Sequence, residues 1–197
     1  MIKFLDYNFA PVMNYPDSRV MKVFDLSNGL NEKYIRSFEW GIGKYNEKRE
    51  GMYTAEQFDG RRNIHMGIDI WSRAERPVFS FTEGIVAYLG DNNQAGDYGP
   101  TLVLKYAIND QKIFALYGHL SKMTLNHIEV GETVKKGQQI ATIGTEKVNG
   151  GWPPHLHFQL SKQDPGKPDM PGVVSKKDHQ RALETYPDPR TVLGPLY

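Results

Sequence analysis

Short apolar runs separated by glycine-rich turns dominate the middle of the chain. The runs are rich in Val, Ile, Tyr and Phe and occur at residues 63–70, 77–90, 101–108, 112–120, 132–144 and 155–160. Turn-forming stretches lie between them, such as GDNNQAGDYGP at 90–100 and NGGWPP at 149–154. Many short strands at this spacing are typical of an antiparallel β-sheet or sandwich. The pattern therefore predicts a mainly β protein with a few peripheral helices.

The two ends of the chain are less regular than its middle. Residues 1–60 show little periodicity apart from one predicted helix within 27–40, for which Ser27 or Asn28 is the expected cap. After a stretch rich in Pro and Gly at 162–172, the composition of residues 175–186 predicts a second helix. We therefore divide the chain into an N-terminal extension packed on the core (1–60), a central domain (61–162) and a C-terminal tail (163–197).

Length and composition restrict the class of protein. A chain of 197 residues can bury a core without disulfides or a structural metal. Its 24 Lys and Arg nearly balance its 23 Asp and Glu, and the basic pairs are scattered, so no nucleic acid and no anionic membrane is expected as a partner. Cysteine is absent, which excludes thiol nucleophiles. Any metal must therefore be held by histidines and carboxylates.

No part of the sequence has the pattern of an export signal or of a membrane span. Residues 1–19 lack a continuous apolar region, because Asp6 and Asn8 interrupt it. No later apolar run approaches the length that crosses a bilayer. We therefore expect a soluble protein, with a cytoplasmic location favoured over export.

The stretch WPPHLHFQL at 152–160 carries two histidines within an otherwise apolar strand pattern. Side chains alternate between the two faces of a strand, so His155, His157 and Gln159 share one face and the apolar residues take the other. The apolar face can then pack in the core while the imidazoles face a site. Taken alone, the pattern also fits one buried, hydrogen-bonded histidine and one surface histidine.

The stretch NIHMGIDI at 63–70 places His65 and Asp69 on one polar strand face. Along a straight strand these residues lie about 13 Å apart, at ~3.3 Å per residue. Two ligands of one zinc ion must instead bring their donor atoms within about 2.0 to 2.2 Å of that ion. A shared metal site therefore requires the strand to bend or end between them, and Gly67 lies midway. Without a metal, the same pattern fits a surface Asp near a hydrogen-bonded His.

A third segment, ALYGHLS, places His119 at the end of a predicted strand, where a rim histidine is the alternative interpretation. Together the three segments supply nitrogen ligands, one carboxylate and spare imidazoles. A hydrolytic zinc site needs three protein ligands, an open position for water, and a base beside it. The two remaining histidines, His127 and His179, have polar neighbours and are expected to face solvent.

The motifs HMGID, YGHLS and HLHF occur in this order and are joined by GDYGPTLVL and VGETVKKGQQIATIG. Over about residues 61–162 the sequence resembles the peptidase M23 family, the LytM or lysostaphin-type zinc metallopeptidases. The resemblance includes the H-x-x-x-D and H-x-H motifs and the histidine of the Y-x-H-L segment.

This resemblance implies a zinc ion held by His65, Asp69 and His157. It further implies that His155 and His119 form a catalytic pair that positions and deprotonates water or stabilises the tetrahedral intermediate. The implied fold is an antiparallel β core of the duplicated-hybrid-motif type with the site in a groove. The implied activity is cleavage of peptide bonds, often glycine-containing or in peptidoglycan cross-links, so the expected partner is a peptide substrate.

The sequence departs from the family pattern just before H-x-H. Family members usually have small residues there, whereas this chain has TEKVNGGWPP at 145–154. The substrate subsites are therefore expected to differ, while the metal ligands are not. Trp152 and Tyr98 lie in the turn-rich segments near the site, where they either line a substrate groove or pack the loops.

Two other functions use similar patterns. A non-catalytic binding or regulatory module of the same fold would be expected to have lost ligands, whereas all five positions are filled here. The stretch GETVKKGQQI is also similar to biotinyl and lipoyl carrier domains and to sugar phosphocarrier domains that use a histidine pair. Neither kind of carrier needs a metal-binding carboxylate, so Asp69 favours the peptidase. Nothing in the pattern specifies an oligomeric state.

Overall fold

The computed structural model describes residues 7–197. Residues 1–6 lie outside the described residues; they belong to the predicted N-terminal extension and to the stretch considered for an export signal. The strands are β1 (Lys22–Val23), β2 (Gly41–Gly43), β3 (Arg62–His65), β4 (Ile68–Trp71), β5 (Pro77–Phe79), β6 (Gly84–Asn92), β7 (Gly99–Ile108), β8 (Gln111–Gly118), β9 (Thr133–Val134), β10 (Gln139–Thr142), β11 (His155–Ser161) and β12 (Val173–Ser175). The α-helices are α1 (Glu32–Ile35), α2 (Thr124–His127), α3 (His179–Thr185) and α4 (Arg190–Leu193), and short 3-10 helices occur at Ser18–Val20 and Glu56–Phe58.

The main sheet has eight strands in the order β1-β2-β4-β11-β8-β7-β6-β9. All of its pairings are antiparallel except the parallel pair β1–β2 at its edge. Two small antiparallel sheets, β5–β10 and β3–β12, accompany it. The prediction of a mainly β, antiparallel fold with peripheral helices is therefore confirmed.

The predicted strand at 63–70 is divided into β3 and β4, which belong to different sheets. β3 ends at His65 and pairs with β12, whereas β4 begins at Ile68 and pairs with β2 and β11. The break falls at Met66 and Gly67, as the requirement for a bend between His65 and Asp69 predicted. The two residues therefore approach each other from two sheets and do not lie along one strand.

The helix predicted within 27–40 begins later than expected. Ser27 and Asn28 lie in a turn, and Asn31 caps α1 by accepting a hydrogen bond from the Tyr34 amide at 3.0 Å. Gly29 has a φ of +98°, a left-handed conformation that ends the turn and separates it from the helix. The expected cap was therefore wrong by three or four residues. The predicted C-terminal helix is present as α3.

The alternation of residues in β11 determines the two faces of the main sheet. Leu156, Phe158 and Leu160 are fully buried in the largest hydrophobic cluster, which also receives side chains from β4, β7 and α4. The alternate residues of β11 face the opposite side, where the histidines lie. Both terminal segments share sheets with the centre, through β1 and β2 at one end and β12 at the other. The division of the chain into three parts stays a prediction.

Within residues 7–197, no helix combines the length and the apolar composition that a bilayer-crossing segment needs.

Candidate metal centre

The site is built on three neighbouring strands of the main sheet. His157 of β11 pairs with Asp69 of β4 on one side and with Gly118 of β8 on the other. Because Gly118 has no side chain, the ring of Tyr98 fits over it, with its centroid 5.0 Å from that of the His157 ring. The central position of β11 therefore places His157 between a carboxylate and an aromatic wall.

Three side-chain atoms converge at this point. His65 Nε2 lies 3.1 Å from His157 Nδ1 and 3.2 Å from Asp69 Oδ1, and His157 Nδ1 lies 3.0 Å from Asp69 Oδ1. All three side chains are buried. Among the described residues these are the group of His, Asp and Glu side chains that can hold a metal ion together.

The outward ring nitrogens show which atoms carry the protons. His65 Nδ1 lies 2.9 Å from the carbonyl oxygen of Lys44, and His157 Nε2 lies 3.0 Å from Gln159 Oε1. The Gln159 amide is oriented because its Nε2 donates to the carbonyl of Pro171 at 3.2 Å. An oxygen acceptor requires an N–H donor, so each ring is protonated on its outward nitrogen.

The inward nitrogens of both rings and the carboxylate oxygen therefore present lone pairs to one another, with no hydrogen between them. Such an arrangement is repulsive unless a cation lies among the three atoms. Tetrahedral zinc ligands at about 2.0 to 2.1 Å from the ion are roughly 3.3 Å from one another. The observed separations of 3.0 to 3.2 Å are close to this value, so the donor set fits zinc in number, type and spacing.

Two further histidines lie beside the three converging atoms. His155 Nδ1 donates to the carbonyl of Pro153 at 2.8 Å, and its Nε2 lies 3.8 Å from Asp69 Oδ1. His119 Nδ1 donates to the carbonyl of Asn149 at 2.9 Å. The two rings are in contact, with centroids 4.2 Å apart. In each, Nε2 is therefore the nitrogen that is left to accept a proton.

Burial keeps these two imidazoles neutral. It lowers the pKa of His155 to about 4, although Asp69 partly opposes the shift. Burial likewise lowers the pKa of His119 well below 6.5, and the neighbouring His155 adds to the effect. Near neutral pH both rings are therefore available as bases.

Residues outside the predicted motifs surround the carboxylate. Arg49, which is 1% exposed, donates from Nη1 to Asp69 Oδ2 at 2.7 Å and to Tyr53 OH at 2.9 Å. Burial alone would raise the pKa of Asp69, but neighbouring groups, among them the positive charge of Arg49, hold it well below its ordinary value. No motif in residues 1–60 pointed to Arg49, because the residues around it show no strand or helix periodicity.

A cleft of about 340 Å³ opens above the site. Its walls come from the N-terminal extension, the loops before β7 and β11, and the Pro-rich stretch before β12, including Met52, Tyr53, Phe58, Tyr98, Trp152, Asp169 and Met170. Trp152 both lines the cleft and packs against Tyr53, with ring centroids 6.0 Å apart. Tyr98 also lines the cleft, and it holds the loops together because its hydroxyl donates to the Met170 carbonyl at 3.0 Å.

The remaining histidines lie elsewhere. His127 is exposed at the end of α2, as expected. His179 is partly exposed, and its Nε2 lies 2.6 Å from Asn46 Oδ1. The structure thus brings together His65, Asp69, His119, His155 and His157, and leaves the other two histidines apart.

The sequence model of peptidase family M23 matches residues 63–168, which is more than half of the chain. The chain belongs to peptidase family M23. The matched region contains all five site residues named above. Members of this family are zinc-dependent peptidases. The matched region does not contain Arg49 or Tyr53.

The chain is similar to two curated relatives and to one solved structure. The L-Ala–D-Glu endopeptidase of Bacillus subtilis is 31% identical over 138 residues, which are 67% of this chain and 39% of that protein. The peptidoglycan DD-endopeptidase ShyC of Vibrio cholerae is 28% identical over 150 residues, which are 75% of this chain and 29% of that protein. This chain therefore spans less than half the length of either relative.

The catalytic domain of the antimicrobial peptidase lysostaphin from Staphylococcus simulans is a structural neighbour of this M23 chain. It aligns with a TM-score of 0.52 and 25% identity, covering 84% of this chain and 98% of that domain. The mainly β architecture predicted from the sequence is therefore that of an M23 catalytic domain.

Proposed function

We propose that this protein is a zinc-dependent endopeptidase in which His65, Asp69 and His157 hold the ion. The convergence of three lone-pair donors within 3.0 to 3.2 Å of one another is the observation that carries the proposal. A bound zinc ion supplies a Lewis acid for the scissile carbonyl and lowers the pKa of water in its open position toward ~7. Membership of family M23 supports the same activity.

The protein's own residues supply the proton transfer. His155 is held by its bond to Pro153 and by stacking on Trp71, with ring centroids 4.0 Å apart. Its neutral Nε2 therefore accepts a proton at a fixed position beside Asp69. His119, fixed by the Asn149 carbonyl, lies against His155 and serves as the second imidazole of the pair. Both rings are buried and line the cleft above the site.

We further propose a peptide substrate derived from peptidoglycan. The supporting observation is that the relatives in Bacillus subtilis and Vibrio cholerae are named as an L-Ala–D-Glu endopeptidase and a peptidoglycan DD-endopeptidase. The cleft above the site is lined by Trp152, which lies in the stretch where the sequence departs from the family pattern before H-x-H. A cytoplasmic location stays a prediction, which fractionation of cells that produce the native protein would test.

Elemental analysis and digestion of peptidoglycan together test the proposal. The purified chain should contain about one zinc per molecule and release peptides from purified peptidoglycan, and a chelator should stop the release. Asp69→Asn should lose both zinc and activity, whereas His127→Ala, which changes an exposed histidine, should lose neither. A metal-replete protein that contains no zinc, or that contains zinc and cleaves no peptide, would contradict the proposal. The second outcome would favour a non-catalytic module of the same fold.

A further inference from the structure

The guanidinium group of Arg49 lies behind two of the three proposed metal ligands. Its Nη1 donates to Asp69 Oδ2 at 2.7 Å, the carboxylate oxygen that points away from the site. Its Nη2 donates at 3.4 Å to the carbonyl of Lys44, which also accepts the hydrogen bond from His65 Nδ1. One side chain therefore contacts Asp69 directly and His65 through a shared acceptor.

Arg49 is itself held in place. Glu47, which is 8% exposed, accepts from Arg49 Nε at 3.0 Å through Oε2, while its Oε1 accepts from the Leu26 amide at 3.2 Å. Lys44 Nζ lies 3.0 Å from the same Oε1. A fully buried arginine with two buried carboxylate partners has little rotational freedom, so it can fix the orientation of the groups it touches.

The backbone around Arg49 is tied to the strand that carries His65. The His65 amide donates to the Glu47 carbonyl at 2.9 Å, and the Asn46 amide donates to the His65 carbonyl at 2.7 Å. The Arg49 amide donates to the Asn63 carbonyl at 2.8 Å. The N-terminal extension and β3 therefore form one unit that includes both the arginine and a proposed ligand.

Gly43 provides the space in which Arg49 meets Asp69. It pairs with Asp69 in the β2–β4 ladder, and a β-carbon on it would lie 2.8 Å from Arg49 Nη2 and 2.9 Å from Asp69 Oδ2. A side chain at this position would therefore push the guanidinium and the carboxylate apart. The absence of a side chain at Gly43 is needed for this contact.

We propose that Arg49 is a positioning residue for the metal centre, contributed by a segment outside the region that matches the family model. It engages Oδ2 of Asp69 so that Oδ1 alone faces the other two ligands, and it steadies the carbonyl that orients His65. The proposal rests on the proposed zinc function. Partners of this kind, which bond to a metal ligand, typically change metal affinity or activity by about 10- to 100-fold when removed.

Geometry and charge make different predictions for a lysine at position 49. Lysine keeps the positive charge that the buried Glu47 and Asp69 need, but its ammonium group lacks the planar fork that contacts Asp69 Oδ2, Glu47 and the Lys44 carbonyl together. If Arg49 acts only as a charge, Arg49→Lys should bind zinc as the unaltered chain does. If it positions the ligands, the lysine variant should bind zinc more weakly.

The test uses the full chain and measures zinc dissociation constants by chelator competition, together with visible absorption of the cobalt-substituted protein. Arg49→Met should raise the zinc dissociation constant by about 10- to 100-fold, and Arg49→Lys should raise it by a smaller factor with a changed cobalt spectrum. Arg76→Met is the matched control, because Arg76 packs on Trp40 at 4.1 Å, pairs with Glu39 and has no place in the site. Circular dichroism checks that each variant is folded.

A folded Arg49→Lys with an unchanged zinc dissociation constant and an unchanged cobalt spectrum would overturn the proposal, as would a folded Arg49→Met that binds zinc as tightly as the unaltered chain. If Arg49→Met does not fold, the lysine variant decides. Failure of the proposed function would be recognised separately, because in that case the unaltered chain itself would bind no zinc.

Discussion

Gly67 and His157 are in contact across the break between β3 and β4. A β-carbon on Gly67 would lie 2.5 Å from Cε1 and 2.6 Å from Nε2 of the His157 ring. It would also lie 2.9 Å from the backbone carbonyl oxygen of Phe158, which cannot move without disturbing β11. Gly67 therefore has two roles. It lies where the chain breaks between β3 and β4, and its lack of a side chain leaves room for the His157 ring.

Gly67→Ala is expected to weaken metal binding. The added methyl group must displace the His157 ring, because the alternative is to shift the β11 backbone. We expect a loss of about 1 to 3 kcal/mol in the free energy of unfolding, as for other overpacked sites, and a zinc content well below that of the unaltered chain. Thermal unfolding and elemental analysis measure the two effects.

Gly60→Ala is the control for this substitution. Gly60 has open space around it and a φ of +59°, so alanine there costs about 1 to 2 kcal/mol of backbone strain but touches nothing in the site. Its zinc content should be that of the unaltered chain. Equal zinc contents in both glycine variants would contradict the steric explanation.

The periodicity of the sequence predicts the parts of the site that lie on regular strands. Alternation in residues 155–160 places the histidines of β11 opposite Leu156 and Phe158, and a metal shared by His65 and Asp69 requires a bend or break between them. Both follow because a strand has a fixed rise and a fixed alternation of faces. The assignment of His65, Asp69 and His157 as ligands came from the family resemblance.

The contacts that support the site were not predictable in the same way. Arg49 lies in a segment without periodicity, and its bond to Asp69 depends on how the N-terminal extension folds back over β4. Gln159 was placed on the correct face, but its bond to His157 depends on the Pro171 carbonyl of a distant loop. Local pattern carries no information on such pairings, because they are decided by tertiary packing.

Removal of zinc with a chelator is expected to leave the fold intact. The strands that carry the ligands are held by their own ladders, and the opposite face of β11 lies in the main hydrophobic cluster. The unfolding temperature should fall, because a ligand that binds only the folded state stabilises it in proportion to the logarithm of its excess over the dissociation constant. Far-UV circular dichroism before and after chelation should be superimposable at 25 °C. Loss of the β-sheet signal on chelation would show that the metal is structural.

Asn149→Ala is expected to slow catalysis without removing the metal. The Asn149 side chain is fully buried and bonds to the Gly151 amide and to the amide and carbonyl of Trp152, at 2.9 to 3.2 Å. Its own carbonyl fixes His119. Loss of these bonds should cost about 1 to 3 kcal/mol of stability and reduce kcat, with zinc content unchanged. Asn126→Ala, at an exposed position of α2, should change neither quantity. A kcat for Asn149→Ala equal to that of the unaltered chain would show that the Asn149 side chain does not contribute to catalysis.

The two histidines of β11 are expected to respond differently to substitution. His157 contributes Nδ1 to the converging set, at 3.0 Å from Asp69 Oδ1, whereas His155 Nε2 lies 3.8 Å from the same oxygen and outside that set. His157→Ala should therefore lose zinc and activity together. His155→Ala should keep its zinc and lose turnover by about 10²-fold or more, the usual effect of removing a positioned base. Zinc content and peptide release are measured side by side on both variants and on His127→Ala, which should match the unaltered chain.

If His155→Ala lost zinc while His157→Ala retained it, the two roles would be reversed. If both variants retained zinc and full activity, neither histidine would take part in the chemistry, and the paired imidazoles of β11 would need another explanation.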